Sequence, residues 1–220
     1  MQAPLSAQLI NLLAALLLLL SFAMLAQRRI LTLIHLFTLQ GAVLASATLL
    51  IGYATGQTHL YYSAALTLLL KVLAIPFILH RLIQRLNVRW DTETLLNIPT
   101  LMLLGVLVVI LAFHLAAPVA SLSSTVLRGT LGIALACVLL SFMMMITRAK
   151  AVPQVIGFLS LENGLFFAAT ATVYGMPMVV ELGIALDVLV GILILAVFMF
   201  QLRERFDSLD VQHLERLKED

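Results

Sequence analysis

The chain has 220 residues, of which 62% are hydrophobic and 11% are charged, and its formal net charge is +2. Roughly a quarter of the residues in a water-soluble domain are usually charged, so the composition excludes an ordinary soluble protein. The single cysteine excludes an iron–sulfur cluster held by several cysteines, a cysteine-rich zinc site and a disulfide within the chain. The apolar residues come in runs of about 20, the length that a helix needs to cross a bilayer.

Seven such runs predict an all-α integral membrane protein with seven transmembrane helices. The predicted helices cover residues 5–26, 30–54, 60–83, 98–117, 125–146, 152–173 and 178–202. No basic residue precedes the first run, which therefore predicts a retained helix and not a cleaved signal. Pro76 lies inside the third run, where it removes a backbone donor close to Lys71. Pro118 predicts a break over residues 118–124.

The basic residues predict the orientation of the chain in the membrane. If the N-terminus is outside, 11 of the 13 Lys and Arg residues fall on the cytoplasmic side: Arg28, Arg29, Arg81, Arg85, Arg89, Arg148, Lys150, Arg203, Arg205, Arg216 and Lys218. By the positive-inside rule, the N-terminus is predicted to lie outside the bacterial inner membrane and the C-terminus on its cytoplasmic side. The polar stretch 203–220 is then a cytoplasmic tail.

Two halves of the chain resemble each other. Residues 34–40 match 156–162, the basic turn at 28–29 matches 148–150, and 70–74 match 186–190. This predicts a first three-helix repeat over 1–86, a connecting loop and fourth helix over 87–118, and a second three-helix repeat over 119–202. One helix between them makes the repeats parallel. In this alignment Gln40 corresponds to Glu162, and Lys71 corresponds to Asp187.

Three ionisable residues lie near the middle of apolar runs: Glu162, Asp187 and Lys71. A charge at that depth costs about 2.5–3.5 kcal/mol on insertion scales, so such residues usually face protein and serve a function. Buried ionisable groups can change protonation state near neutral pH, as a proton relay requires. The alternative is a static ion pair or a hydrogen-bonded clamp between helices. Ser160 and Asn163 flank Glu162 and are candidates to orient it.

Other polar residues are weaker candidates. Glu181 is expected near the outer end of the seventh helix, where Arg128 could pair with it, and Gln40 is a candidate accessory residue. His35 and His80 lie toward one side of the membrane and allow the hypothesis of a bis-histidine haem, although an ordinary histidine at the interface is the favoured interpretation. We predict no catalytic residue, metal site or cofactor in this chain, and no nucleic-acid partner.

The pattern from residue 125 onwards resembles subunit K of bacterial NADH:quinone oxidoreductase (complex I) and the C subunit of Mrp-type antiporters. The resemblance rests on the basic turn 147–150, on Glu162 in the following helix and on Asp187 in the last helix, where this chain has aspartate in place of glutamate. With its additional N-terminal helices, the whole chain resembles the hydrogenase-4 component E family, membrane subunits of group 4 NiFe-hydrogenase complexes such as formate hydrogenlyases.

The resemblance implies a subunit in the membrane arm of a complex I-like hydrogenase. It would contact antiporter-like and other membrane-arm subunits, and through them the peripheral hydrogenase arm. Glu162, Asp187 and Lys71 would contribute to proton translocation or to coupling between redox chemistry and pumping. Four alternatives remain open from the residues: a purely structural scaffold subunit, a subunit of an Mrp-type antiporter, a free-standing transporter and a haem-bearing membrane anchor.

Overall fold

The computed structural model describes residues 5–86, 96–120 and 125–173. These residues form helices: α1 (Leu5–Ala26), α2 (Ile30–Thr55), α3 (His59–Thr67), a π-helical segment (Leu68–Ala74), α4 (Ile75–Leu86), α5 (Ile98–Ala120), α6 (Thr125–Thr147) and α7 (Ala151–Val173). No residue separates α3, the π-helical segment and α4, so they correspond to the third predicted helix.

Six helices in the described ranges are long and apolar enough to cross a membrane. They match the first six predicted helices, which confirms the prediction of an all-helical membrane protein over this part of the chain. The seventh predicted helix and the tail, with Glu181 and Asp187, lie outside the described residues. The membrane orientation, the two repeats and the division into domains stay predictions.

The predicted break at Pro118 is wrong in position. The α5 helix continues through Pro118 to Ala120. A proline in the last turn removes a single amide donor, the one that would serve the carbonyl of His114. A proline is tolerated in a membrane helix where local adjustment or neighbouring groups satisfy the freed carbonyl.

Short turns connect α1 with α2 and α2 with α3. In the first turn, the Gln27 side-chain oxygen accepts hydrogen bonds from the backbone N–H groups of Arg28 and Arg29, at 2.9 and 3.2 Å. In the second turn, Gly56 has φ 70°, a left-handed conformation that glycine adopts without steric cost, and its N–H bonds to the Gly52 carbonyl. These turns bring each helix back antiparallel to the one before it.

The helices of the first half of the chain pack directly against α6 and α7. Helix α1 packs against α2 and α6, whereas α2 packs against the π-helical segment and α7. The largest buried apolar cluster includes Leu25, Phe37 and Ile156, one residue from each of α1, α2 and α7. Many apolar side chains remain exposed along the outer face of α5, including Leu103 and Ile110, as expected of a surface that contacts lipid.

Candidate functional site: a buried ion pair between the third predicted helix and α7

Lys71 and Glu162 form an ion pair in the interior of the helix bundle. The Lys71 Nζ atom lies 2.9 Å from Glu162 Oε1, and the two side chains are 8% and 14% exposed. Lys71 belongs to the π-helical segment and Glu162 to the middle of α7. The structure thus brings together two of the three residues that the sequence singles out, although the sequence analysis does not pair them with each other.

The π-helical segment explains how Lys71 shares a face with the apolar residues of α4. Leu60 and Lys71 are eleven residues apart and lie on one face of an α-helix, because each residue turns the helix by about 100°. Ile83, twelve residues beyond Lys71, would point about 120° away in an uninterrupted α-helix. A π turn contains one residue more than an α turn, so the residues after it are rotated back by about 100°, the rotation of one residue. Leu60, Lys71 and Ile83 are accordingly all buried.

The π-helical segment ends at Ala74, two residues before Pro76. The N–H of Ile75 bonds to the carbonyl of Leu70, five residues earlier, as in a π-helix. Pro76 has no N–H to continue the α-helical ladder. The sequence located this irregularity through the proline, but it did not predict that the segment would be π-helical.

Phe166 provides a second contact for the Lys71 ammonium. Its ring centroid lies 5.3 Å from Lys71 Nζ. Phe166 follows Glu162 by four residues, so the carboxylate and the ring project from the same face of α7. The ammonium therefore contacts an anion and an aromatic ring that belong to the same helix. Phe166 was not predicted from the sequence, because a phenylalanine in an apolar helix is usually a packing residue.

A chain of hydrogen bonds joins α7, α2 and α1 through their interiors. The Asn163 amide N–H donates to Gln40 Oε1 at 3.1 Å, and the Gln40 amide N–H donates to the Ser21 hydroxyl at 3.1 Å. The Ser21 hydroxyl donates in turn to the Leu17 carbonyl at 3.0 Å. All three side chains are almost completely buried. Gln40, an accessory candidate in the sequence, is therefore part of a polar contact between helices. Ser21 belongs to the same contact but was not predicted from the sequence.

Ser160 and Asn163 do not orient Glu162 as the sequence suggested. Ser160 shares a 2.7 Å hydrogen bond with Ser141 of α6, and Asn163 bonds to Gln40. Glu162 Oε2 and Asn163 Oδ1 are buried and accept no hydrogen bond from any group in the described part of the chain. Among these residues, Lys71 is thus the partner that fixes the position of the Glu162 carboxylate.

Ser21 of α1 and Ser141 of α6 make similar contacts. The offset between them is 120 residues, the same as between the basic turns at 28 and 148. Each serine contacts the following helix through a residue 19 positions later, Gln40 and Ser160 respectively. The sequence did not predict this similarity between the two hydrogen bonds.

Arg148 is buried, although it is one of the basic residues predicted on the cytoplasmic side. Its Nη2 atom donates to the carbonyls of Met24 and Leu25 in the last turn of α1, at 3.1 and 2.9 Å. Those carbonyls lack partners within the helix, so the guanidinium caps α1. Burial, with a smaller contribution from the charge of Arg28, lowers the pKa of Arg148 to about 10. The contact places the basic turns of both halves at one end of the bundle.

The remaining candidate residues lie away from the ion pair or outside the residues that the structure describes. Arg128 lies in the first turn of α6, but its predicted partner Glu181 is among the residues that the structure does not describe. Asp187 is also outside the described residues. His35 and His80 are both exposed on the outside of the bundle. No group of three or more His, Cys, Asp or Glu side chains that could hold a metal ion occurs within the described ranges.

The fold and the site define a class of protein: a multi-pass helical membrane protein with a buried ion pair between two of its helices. The uncharacterized protein Rv0085 of Mycobacterium tuberculosis is 31% identical over 194 residues, which cover 88% of each chain. Hydrogenase-4 component E of Escherichia coli strain K12 is 26% identical over 184 residues, covering 83% of this chain and 84% of that protein. The same values hold for hydrogenase-4 component E of Shigella flexneri.

The chain belongs to the hydrogenase-4 component E family. The matched regions extend over most of the chain, so the relationship is not confined to the residues after 125. No protein-family model matches the chain. No solved structure matches it either.

Proposed function

We propose that this protein is a membrane subunit of a hydrogenase complex and that its Lys71–Glu162 pair takes part in proton translocation or in coupling it to redox chemistry. The family relationship to hydrogenase-4 component E supports the hydrogenase complex. The 2.9 Å ion pair within a bundle of membrane-crossing helices carries the proposal for protons. The chain would contain no redox centre and would contact antiporter-like neighbours in the membrane arm.

The cost of burying the pair supports a role beyond packing. Two charges that leave water lose solvation free energy that their mutual attraction only partly restores. A protein in which apolar residues of similar size replace a buried ion pair is often at least as stable. Ionisable residues within membrane helices are accordingly rare and commonly belong to ion or proton pathways. A pair that served packing alone could be replaced by two apolar residues at no cost.

The proposed chemistry is the uptake and release of one proton at Glu162. Glu162 Oε1 faces the Lys71 ammonium, whereas Oε2 accepts no hydrogen bond within the described ranges, so Oε2 would receive the proton. Protonation converts the carboxylate to a neutral acid and removes its attraction for the ammonium. Release of the proton restores the ion pair. The two states differ in the force between the π-helical segment and α7, which could link proton transfer to helix movement.

The test is proton translocation by inverted vesicles that contain the assembled complex. Glu162→Gln keeps the size of the side chain and removes its negative charge, so hydrogen-linked proton translocation per assembled complex should fall, whatever the loss of the ion pair does to the amount of complex. Ser141→Ala is a matched control, because it removes a buried hydrogen bond beside α7 and leaves both charges in place. Unchanged translocation in Glu162→Gln would reject the proposal.

A structural scaffold is the second candidate function. The hydrogen bonds from Asn163 to Gln40 and from Gln40 to Ser21 fasten three helices together, which favours it. If fastening helices is the whole role of the polar interior, neutral variants of Lys71 and Glu162 should lower the amount of assembled complex and leave translocation per complex unchanged. Quantifying both in the same vesicles separates the two functions.

A further inference from the structure

We propose that Gln40 and Asn163 are positioning residues, whose hydrogen bond holds Glu162 beside Lys71 in both protonation states of the carboxyl group. The inference rests on the proposed function, because it concerns the geometry of the same ion pair. The sequence named Gln40 as an accessory candidate and Asn163 as a residue that could orient Glu162 directly. In the structure they contact each other at 3.1 Å, so Asn163 acts on Glu162 through the helix that carries both.

The ion pair and the amide contact belong to one closed ring of neighbouring residues. Gly41 of α2 packs against Lys71. Its chain neighbour Gln40 accepts a hydrogen bond from Asn163, which directly follows Glu162 in α7. Glu162 closes the ring at Lys71, 2.9 Å away. Consecutive residues of a helix are about 1.5 Å apart along its axis, so the amide contact lies at nearly the same depth as the ion pair. A slide or rotation of α7 against α2 would therefore disturb both contacts.

The amide contact restrains the helices themselves, whereas the ion pair joins the ends of two flexible side chains. The Lys71 ammonium ends a flexible stem of four carbons, so it can follow the carboxylate through small movements of a helix. A single methylene separates the Asn163 amide from the backbone, so its hydrogen bond restrains the position of α7. Gln40 and Asn163 are each 1% exposed. Gln40 also donates to Ser21 of α1 at 3.1 Å, which fixes the amide from a third helix.

The amide contact is the same whether Glu162 is charged or neutral, because amide groups neither gain nor lose a proton in this cycle. One proton that adds to the Glu162 carboxylate gives a neutral acid and removes its charge–charge attraction for the Lys71 ammonium. The bond between Asn163 and Gln40 then still holds α7 against α2, so the carboxyl group stays within reach of the ammonium. When the proton leaves, the ion pair forms again without a new alignment of the helices.

Substitutions that change the polarity or the length of the contact test the proposal in the assembled complex. Gln40→Met together with Asn163→Leu nearly keeps the volume and removes both amides. Hydrogen-linked proton translocation per complex should then fall by about threefold, which corresponds to the loss of an average hydrogen bond between membrane helices. Gln40→Asn alone shortens the contact by one methylene and should lower translocation as well. The exchange variant, Gln40→Asn with Asn163→Gln, restores the total length and should restore translocation.

Ser141→Ala is the matched control, because the buried bond between Ser141 and Ser160 joins α7 to α6 and not to α2. It should leave translocation per complex unchanged. Wild-type translocation in the apolar double variant, an equal loss in Ser141→Ala, or an exchange variant that does not recover would overturn the inference. Failure of every amide variant to assemble would overturn it too, because the amides would then serve folding and not positioning.

The outcome of Glu162→Gln separates this inference from the proposed function. If Glu162→Gln leaves translocation per complex unchanged, the proposed function fails first. If Glu162→Gln lowers translocation and the amide variants do not, the inference about Gln40 and Asn163 fails alone.

Discussion

Gly41 of α2 contacts the backbone and side chain of Lys71 so closely that a β-carbon at position 41 would lie 3.3 Å from Lys71 Cβ. The same β-carbon would lie 3.4 Å from a methyl group of Val72 and 3.6 Å from the Lys71 carbonyl carbon. Small residues allow membrane helices to approach one another at this distance. The glycine next to Gln40 therefore determines how near the π-helical segment comes to α2.

A larger residue at position 41 is expected to displace Lys71. Gly41→Ala requires its neighbours to move by a few tenths of an ångström and should have a small effect, whereas Gly41→Leu should push the π-helical segment away and separate the ion pair. The measurements are thermal stability of the purified complex and hydrogen-linked proton translocation. Ser46→Leu, an exposed position on the same helix, is the control. Wild-type values for Gly41→Leu would contradict the observed packing.

Removing one member of the ion pair should be worse than removing both. Lys71→Met leaves the Glu162 carboxylate buried without its cation, and loss of one partner of a buried pair costs about 3–5 kcal/mol. The double variant Lys71→Met, Glu162→Gln should recover most of that stability while still lacking proton translocation. Unfolding in mixed micelles measures the free energies. A double variant as unstable as the sum of the single variants would show that the two side chains do not interact.

The amide contact between α2 and α7 should show coupling between its two members. Asn163 donates to Gln40 at 3.1 Å. A double-mutant cycle with Gln40→Ala and Asn163→Ala should give an interaction free energy of about 0.5–2 kcal/mol, as for other side-chain hydrogen bonds between membrane helices. The measurement is again unfolding in mixed micelles. Strict additivity of the two single substitutions would contradict the contact.

Arg148 should stabilise the protein by capping α1. Arg148→Ala leaves the Leu25 carbonyl without its side-chain donor, whereas the Met24 carbonyl keeps the backbone N–H of Gln27. The substitution should therefore cost about 1–3 kcal/mol. Arg29→Ala changes an exposed arginine at the same end of the bundle and should alter the free energy of unfolding by no more than about 0.5 kcal/mol. Equal effects of the two substitutions would show that Arg148 does not cap the helix.

The contribution of Arg148 should not depend on pH under ordinary conditions. Burial lowers its pKa from the ordinary value of arginine to about 10 in the folded protein. Below about pH 9 the guanidinium is protonated in the folded and unfolded states alike, so both bind the same number of protons and linkage gives no slope. Above about pH 10 the unfolded chain binds more protons, so this group makes stability rise with pH. A difference between wild type and Arg148→Ala that changes from pH 6 to pH 9 would contradict the assignment.

The sequence alone determined the class of fold and most helix boundaries, because these depend on local properties. Runs of apolar residues require a helix in the membrane, and the polar turn before Ile30 and the glycine turn at Gly56 end one helix and begin the next. It also identified Lys71, Glu162 and Gln40, since a polar side chain in an apolar run is conspicuous wherever its partner lies. The end of α5 was mistaken, because a proline near a helix terminus costs too little to stop it.

The tertiary structure decided which polar residues meet. The pairing of Lys71 with Glu162 depends on the π-helical segment, on the small size of Gly41 and on the packing of α2 against α7, and residues so far apart in sequence carry no local signal of such contacts. Arg148 looked like a surface charge because its partners are backbone carbonyls of α1, which no side-chain pattern reveals. Phe166 had the pattern of an ordinary packing residue, because its contact with the Lys71 ammonium exists only once the helices are assembled.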